Sequence, residues 1–431
     1  MDALVYQITF LLTFAAISFI AIRGSARVKS VDDFSVANRT FTRFGVSWII
    51  VGTLVGGVST VGTVQTAYTH GISAGIFTFG SGISCFLLGC FFARALREEG
   101  VVTVSEYLGK YFGQRFRYYC SAINSAGMFI HVVGQFLASI AILQAIFSFG
   151  NMVSILITMF LIGTFVIIGG VTGAGLIGKI KFFMLYFIMV SSAGIALYHG
   201  GGLGRIIADL PPHLDMLGFD RYGAKTAAVD MFSMMVGVLS TQIYLQAIFS
   251  ARDVREARNG AFLSAAIIPP IGVLGIIVGL YLRANHPEVA ASPDQALPYF
   301  LRFAFPPALA AFFSAGILLI VLGTGAGLVL GVTTNIYNDF IRPTGMMSGM
   351  IPPIRLIRLS TIAVLIGASL LVVVGLDSAI LKWSYMSMGL RGAAVFVGLL
   401  VLVFFKPLAA NRFVLVLLYL LPVVYVIVNL S

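Results

Sequence analysis

A chain of 431 residues that is 59% hydrophobic and 10% charged, with a mean hydropathy of +1.01, holds more apolar surface than a water-soluble core of that length can hide. Apolar runs of about 20 residues recur along it and read as transmembrane helices, while weak period-2 alternation excludes a membrane barrel. The net charge of +11 is spread over short loops rather than gathered on one face, so the implied partner is a lipid bilayer and not a nucleic acid.

In chain order the sequence predicts twelve spans, at 3–24, 45–68, 72–96, 116–149, 152–171, 175–199, 229–249, 257–283, 308–337, 356–376, 378–405 and 409–430. The first lacks the basic start of a signal peptide and its apolar run is long enough to span, so it is read as a retained helix. The longest polar connection, 200–229, carries Pro211 and Pro212. Cys85, Cys90 and Cys120 show no disulfide or metal-ligand spacing, and no metal or organic cofactor is called for.

Alternate loops divide the charge. One set, from Arg23 through Lys179 and Lys181 to Arg412, holds 20 of the 27 Lys and Arg residues. The other, with Asp209, Asp215, Asp220, Glu288 and Asp294, is poor in them. The positive-inside rule places the first set in the cytoplasm of a bacterial-type inner membrane and both termini outside.

The second span is unusual. Ile49 to Tyr68, "IIVGTLVGGVSTVGTVQTAY", carries no charge but holds four glycines and five Ser or Thr side chains, each glycine costing a helix interior roughly 1 kcal/mol against alanine. A second weakened helix lies at 229–249. Five spans follow from each start, and an odd number per unit inverts the second unit against the first. The expected architecture is an all-α, five-plus-five inverted repeat with breaks near Gly56-Gly57 and near Gly237, the pattern of secondary transporters. Its parts are an N-terminal peripheral helix (1–28), a first repeat (29–200), an external loop (201–228), a second repeat (229–405) and a C-terminal helix (406–431). Close packing through Gly52-x-x-x-Gly56 is the alternative use of the glycines, compatible with a break.

Five segments stand in order along the chain: "DDFSVANR" (Asp32 to Arg39), "TVSEYLGKYFGQRFR" (Thr103 to Arg117), "TQIYLQAIFSARDVREARNGAFLSA" (Thr241 to Ala265), "TTNIYNDF" (Thr333 to Phe340) and "MSMGLRGAAVF" (Met386 to Phe396). Together they resemble the sodium:solute symporter family, whose members carry sugars, proline, pantothenate and sialic acid. The resemblance implies the leucine-transporter-type fold, with 45–68, 229–249 and 308–337 as core helices 1, 6 and 8. It also implies a sodium site made of two carbonyls on helix 1, here Val55 and Val58, and of a carbonyl and two hydroxyls on helix 8. Aligned on Tyr337, the helix-8 carbonyl falls on Gly316 and the hydroxyl pair on Leu319 and Ile320, neither of which can bind sodium. A register shifted by one turn brings in Thr324.

Gly56, Gly57, Ser59 and Gly62 at the first break, Met234 in the second and Arg391 in a late span are the expected solute-binding residues. Met234 argues against a polyhydroxy sugar. A charge in a span is a functional candidate, and Arg391 could bind an anionic solute or tie helix ends. His131 is the deep side chain that titrates near neutrality and is the candidate proton site, with a satisfied core histidine as the plainer alternative. Gln135, Gln242 and Gln246 are polar contacts of open purpose. The stripe Gly323, Gly327, Gly331 reads as a smooth face for helix approach. The expected function is secondary active transport of a small organic solute, with an anion favoured and with sodium coupling doubtful. Proton-coupled or uncoupled transport is the alternative, and a solute sensor that does not transport is the rival of another class. The identity of the coupling ion, Na+ or H+, and the oligomeric state stay open.

Overall fold

The computed structural model describes residues 2–25, 35–36, 39–344, 351–374 and 380–430. Helix α1 (Asp2–Ser25) precedes the first interrupted helix, made of α2 (Arg43–Leu54), a π-helical turn at Val58–Gly62 and α3 (Thr63–His70). Next come α4 (Ile76–Leu87), a second π turn at Leu88–Phe92 and α5 (Ala93–Glu98). A short helix α6 (Val104–Phe112) leads into α7 (Gln114–Phe147) and the long α8 (Asn151–His199), then α9 (Leu203–Ala208). The second interrupted helix is α10 (Ala224–Val238) and α11 (Gln242–Phe249). After it run α12 (Val254–Asn285), α13 (Ala296–Ala304), α14 (Pro307–Asn335) with a π turn at Ile336–Ile341, α15 (Arg342–Thr344), α16 (Pro353–Val374), α17 (Ile380–Phe404) and α18 (Arg412–Leu430).

Among the described residues, eight helical segments are long and apolar enough to cross a membrane, with four shorter apolar helices beside them. Large apolar side chains such as Phe160, Phe183, Phe232 and Leu370 lie more than half exposed on the outside, as a lipid-facing belt requires. The bundle interior is the reverse: every residue from Phe313 to Asn335 of α14 is buried. Two five-helix units, each opening on an interrupted helix, form the inverted-repeat core.

The turn from α3 to the next span is made at Gly71, whose φ is +64° and which lies against the Met216 carbonyl. A side chain there would be strained and would collide with backbone. The expected spans 152–171 and 175–199 prove to be one continuous helix, α8, with no intervening loop. It cannot be straight. Thr324 and Gly325 are neighbours on α14, yet Thr324 bonds Lys181 while Gly325 abuts Ile162. A straight helix would hold Ile162 and Lys181 about 28 Å apart, more than the side chains can reach, so α8 bends between them and serves as two limbs. Lys181, assigned with Lys179 to a basic loop, is therefore a helical residue, and it is buried where Lys179 is exposed. Arg27, Lys29 and most of the Asp32–Arg39 motif lie outside the described residues, as does the junction between the spans expected at 356–376 and 378–405.

Candidate solute and ion site

The first break fits its sequence. After Leu54 the chain turns extended at Val55 (φ −90°, ψ 103°) and resumes helical geometry at Gly57. The interruption leaves backbone groups without intrahelical partners, and side chains supply them. Ser59 Oγ accepts from the Gly56 amide at 2.8 Å, and Gln135 Oε1 on α7 accepts from the Gly57 amide at 2.9 Å. Thr60 Oγ1 donates to the Gly56 carbonyl at 2.7 Å. The glycines are needed because a Cβ on Gly56 would meet Thr324 and Gln135, and one on Gly57 would meet Ala138 and Val321.

The carbonyl end of α2 faces α8 and α14. Thr324 Oγ1 lies 3.1 Å from the Val55 carbonyl and 3.2 Å from that of Gly52. Lys181 Nζ donates to Thr324 Oγ1 at 2.6 Å and also to the Gly52 carbonyl. The helix α8 comes this close because Gly178 packs directly on Gly52, with no room for a Cβ on either residue. Lys181 is 2% exposed, and among the described residues no carboxylate pairs with it. Its charge instead meets the partial negative charge of a helix C-terminus.

The second break, at Leu239–Thr241, repeats the arrangement. Thr241 is extended (φ −79°, ψ 121°), and its hydroxyl donates to the Gly237 carbonyl at the end of α10 at 2.6 Å. Asn124 of α7 donates to the Ser240 carbonyl at 2.6 Å. From α17, Arg391 Nη1 donates to Thr241 Oγ1 at 2.7 Å. Its Nε reaches the Ser387 carbonyl at 3.1 Å, and its Nη2 reaches Ser387 Oγ at 2.8 Å and His131 Nδ1 at 3.1 Å. Arg391 is fully buried, and each of these partners is neutral. Because a guanidinium only donates, His131 Nδ1 must accept, which makes the ring neutral with its proton on Nε2. That Nε2 has no partner among the described residues.

The sequence-predicted residues divide accordingly. Gly56, Gly57, Ser59 and the Val55 carbonyl meet at the first break, and Arg391 and His131 meet at the second. Gly62 faces Ile380 and Leu381, Val58 packs against Gly134, and Gly316 lies against Met184 and Ile188 of α8. Leu319 and Ile320 are buried apolar side chains, and the α14 groups that reach the first break are Val321 and Thr324. Thr324, the residue that a register shifted by one turn brings in, is the α14 hydroxyl that reaches the Val55 carbonyl. Met234 is buried with its Cβ close against Gly80 of α4 and is not among the residues lining the cavity beyond the break. Gly327 and Gly331 of the glycine stripe give room to Thr53 and Met128. Gln242 ties α11 to the strand-like stretch before α6, accepting from the Val104 amide and donating to the Val102 carbonyl, both at 2.9 Å. Gln246 donates to the Ser35 carbonyl.

Two features went unread in the sequence. Lys181 is one. The other is Asp339, fully buried where α14 ends. It pairs with Arg117 at 2.9 Å and accepts from Ser121 at 2.7 Å and Thr103 at 2.8 Å. With Phe41 bridged to Ala251 and Arg97 donating to the Ala251 carbonyl at 2.6 Å, it closes the basic-loop end of the bundle. At the other end a cavity of about 520 Å3 opens between α3, α10 and α17, lined among others by Thr66, His70, Asp230, Ser233, Lys382 and Tyr385.

The model of the sodium:solute symporter family matches residues 34–423. Similar curated proteins include the "Sodium/glucose cotransporter" of Vibrio parahaemolyticus, 19% identical over 73% of this chain and 64% of its own length. The "High-affinity choline transporter 1" of Drosophila melanogaster is 22% identical over 67% and 48%. The "Uncharacterized symporter YodF" of Bacillus subtilis is 24% identical over 86% and 77%. The chain thus spans about half to two-thirds of the length of the first two. Among solved structures, a sodium-coupled sialic acid symporter in a substrate-bound, outward-open state superposes with a TM-score of 0.75 at 15% identity, covering 99% of this chain and 98% of that one. A nucleobase-cation-symport-1 family transporter in a closed conformation gives 0.62 at 12% identity, covering 85% and 79%. These likenesses establish the fold, and the match of the family model over most of the chain establishes that it belongs to the sodium:solute symporter family.

Proposed function

We propose that the chain carries a small organic anion across a membrane by alternating access, with residues 29–200 and 229–405 as the two repeats that rock against each other. Residues 1–28 and 406–431 flank them, and 201–228 forms an external loop. The observation that carries this reading is the pair of buried cations, Lys181 and Arg391, set against the two breaks without a carboxylate bonded to either among the described residues. A buried charge is costly unless paired, and a solute carboxylate entering between the broken helices would supply the missing counter-charge. Entry is from the cavity lined by Thr66, Asp230 and Tyr385, on the side opposite the basic loops. The basic loops face the cytoplasm, and the membrane is of the bacterial inner type.

Uptake into vesicles by the purified protein tests this. Matched carboxylate, amide and amine forms of small organic solutes are offered at fixed pH and membrane potential. Accumulation of carboxylates, with their amides excluded at least tenfold, is expected. Movement of amines in preference to carboxylates would refute the anion reading.

A further inference from the structure

We propose that Lys181 is a resident cation: its ammonium takes the place between the carbonyl end of α2 and Thr324 of α14 that a free monovalent cation would otherwise fill, so the first break needs no sodium there. The oxygens at this point are the Gly52 and Val55 carbonyls and the Thr324 hydroxyl. This is a set of hard, uncharged acceptors gathered at the broken end of a helix in the bundle interior, and a transporter offers such a set to a coupling cation. The ammonium bonds two of them directly. It has three donors and no acceptor of its own, so it engages oxygens as a cation does, and it arrives on a helix that Gly178 lets pass against Gly52.

The inverted repeat supplies independent support. The fifth helix of the first unit, the second limb of α8, places Lys181 on the carbonyl end of its own unit's broken helix. The fifth helix of the second unit, α17, places Arg391 on Thr241, whose hydroxyl bonds the Gly237 carbonyl at the end of α10. Each unit therefore carries one buried cation, from the same helix, at the same end of the same kind of break. A lysine that was merely filling volume would have no reason to be matched in this way.

The proposal rests on the transporter reading, so its test uses no solute. Thermal unfolding of the purified protein is followed in sodium, potassium, ethylammonium and choline chlorides at equal ionic strength. The wild-type midpoint is expected to be the same in sodium as in choline. Lys181→Ala empties the position, and sodium or ethylammonium should then raise its midpoint by several degrees over choline, a gain that adding Thr324→Val removes. A wild-type midpoint that rises specifically with sodium, and loses that rise in Thr324→Val, would overturn the proposal. So would a folded Lys181→Ala that responds to neither cation. If Lys181→Ala does not fold in any of the salts, Lys181→Ser, which also leaves the position open, takes its place with the same two outcomes. Failure of the uptake experiment, by contrast, leaves these midpoints unchanged.

Discussion

Replacing Thr324 by valine keeps the shape of the side chain and removes the one hydroxyl that joins α2, α8 and α14. Three contacts go with it: the bond from the Lys181 ammonium at 2.6 Å, and the hydroxyl's approach to the Val55 carbonyl at 3.1 Å and to the Gly52 carbonyl at 3.2 Å. A hydrogen bond to a charged group contributes roughly 1.5–3 kcal/mol, and a buried acceptor left unpaired costs roughly 1–3 kcal/mol. A loss of about 3 kcal/mol is expected, close to a hundredfold in the folded-to-unfolded ratio. In a Lys181→Met background the charged bond is already gone, so the same change should cost only about 1 kcal/mol. The coupling between the two positions is then about 2 kcal/mol. Unfolding in mixed micelles titrated with denaturing detergent, in sodium-free choline chloride, measures all four corners of the cycle. Losses that add to within about 0.5 kcal/mol, the range of independent sites, would refute the idea that the ammonium and the hydroxyl act as a unit.

Arg391→Lys should reach the membrane yet lose transport at least tenfold in the vesicle assay, since one ammonium cannot replace a fork that reaches Thr241, Ser387 and His131 together; normal uptake would remove Arg391 from the mechanism. Gly57→Ala should destabilise by about 1–3 kcal/mol through overpacking against Ala138 and Val321, read by the same detergent titration. Asp339→Asn removes the charge that Arg117 pairs with, and in a background lacking Cys85, Cys90 and Cys120 it should speed maleimide labelling of a thiol at buried Ser105, whereas unchanged labelling would show that Asp339 does not hold the basic-loop end shut. Glu288 accepts from Tyr299 at 2.7 Å and lies 2.9 Å from His286 Nδ1, and these contacts hold its carboxyl down at about 2. Because its folded value is depressed, its contribution is present above the ordinary 4.5 and is lost as pH falls towards 2. The protection of amides across 286–295, corrected for the intrinsic pH dependence of exchange, should fall in that window and stay level above it.

The positions of both breaks were legible in the sequence because the cause is local. Gly56-Gly57 sits among hydroxyl side chains that can satisfy an opened backbone, and Gly237 lies just before a Ser-Thr pair that does the same for α10. What faces each break was not legible, because it depends on helices far apart in the chain. The turn of α14 that meets Val55 depends on how α14 packs on α2 and α8, where Gly316 and Gly327 lie against Ile188 and Thr53, and counting from Tyr337 carries no information about that packing. Lys181 was hidden for a physical reason. Two residues from Lys179, in a stretch that hydropathy marks as a span end, a lysine that snorkels to the surface and one that turns inward have the same sequence signature. Only the Gly52–Gly178 contact decides between them, and it joins segments more than 120 residues apart. Asp339 escaped in the same way, since its partners Thr103, Arg117 and Ser121 belong to another unit of the chain.

The contact between Gly52 and Gly178 has a mechanical side. At Gly52 and Gly178 the two helices meet through bare backbone, with no side chain between them, so a displacement of α2 against α8 during alternating access would meet no side-chain obstacle at that point. An ammonium on a four-carbon stem is on a leash: in such a displacement a change of rotamer would let it follow the Gly52 carbonyl and return with it, so a resident cation, unlike a dissolved one, would not have to be reloaded.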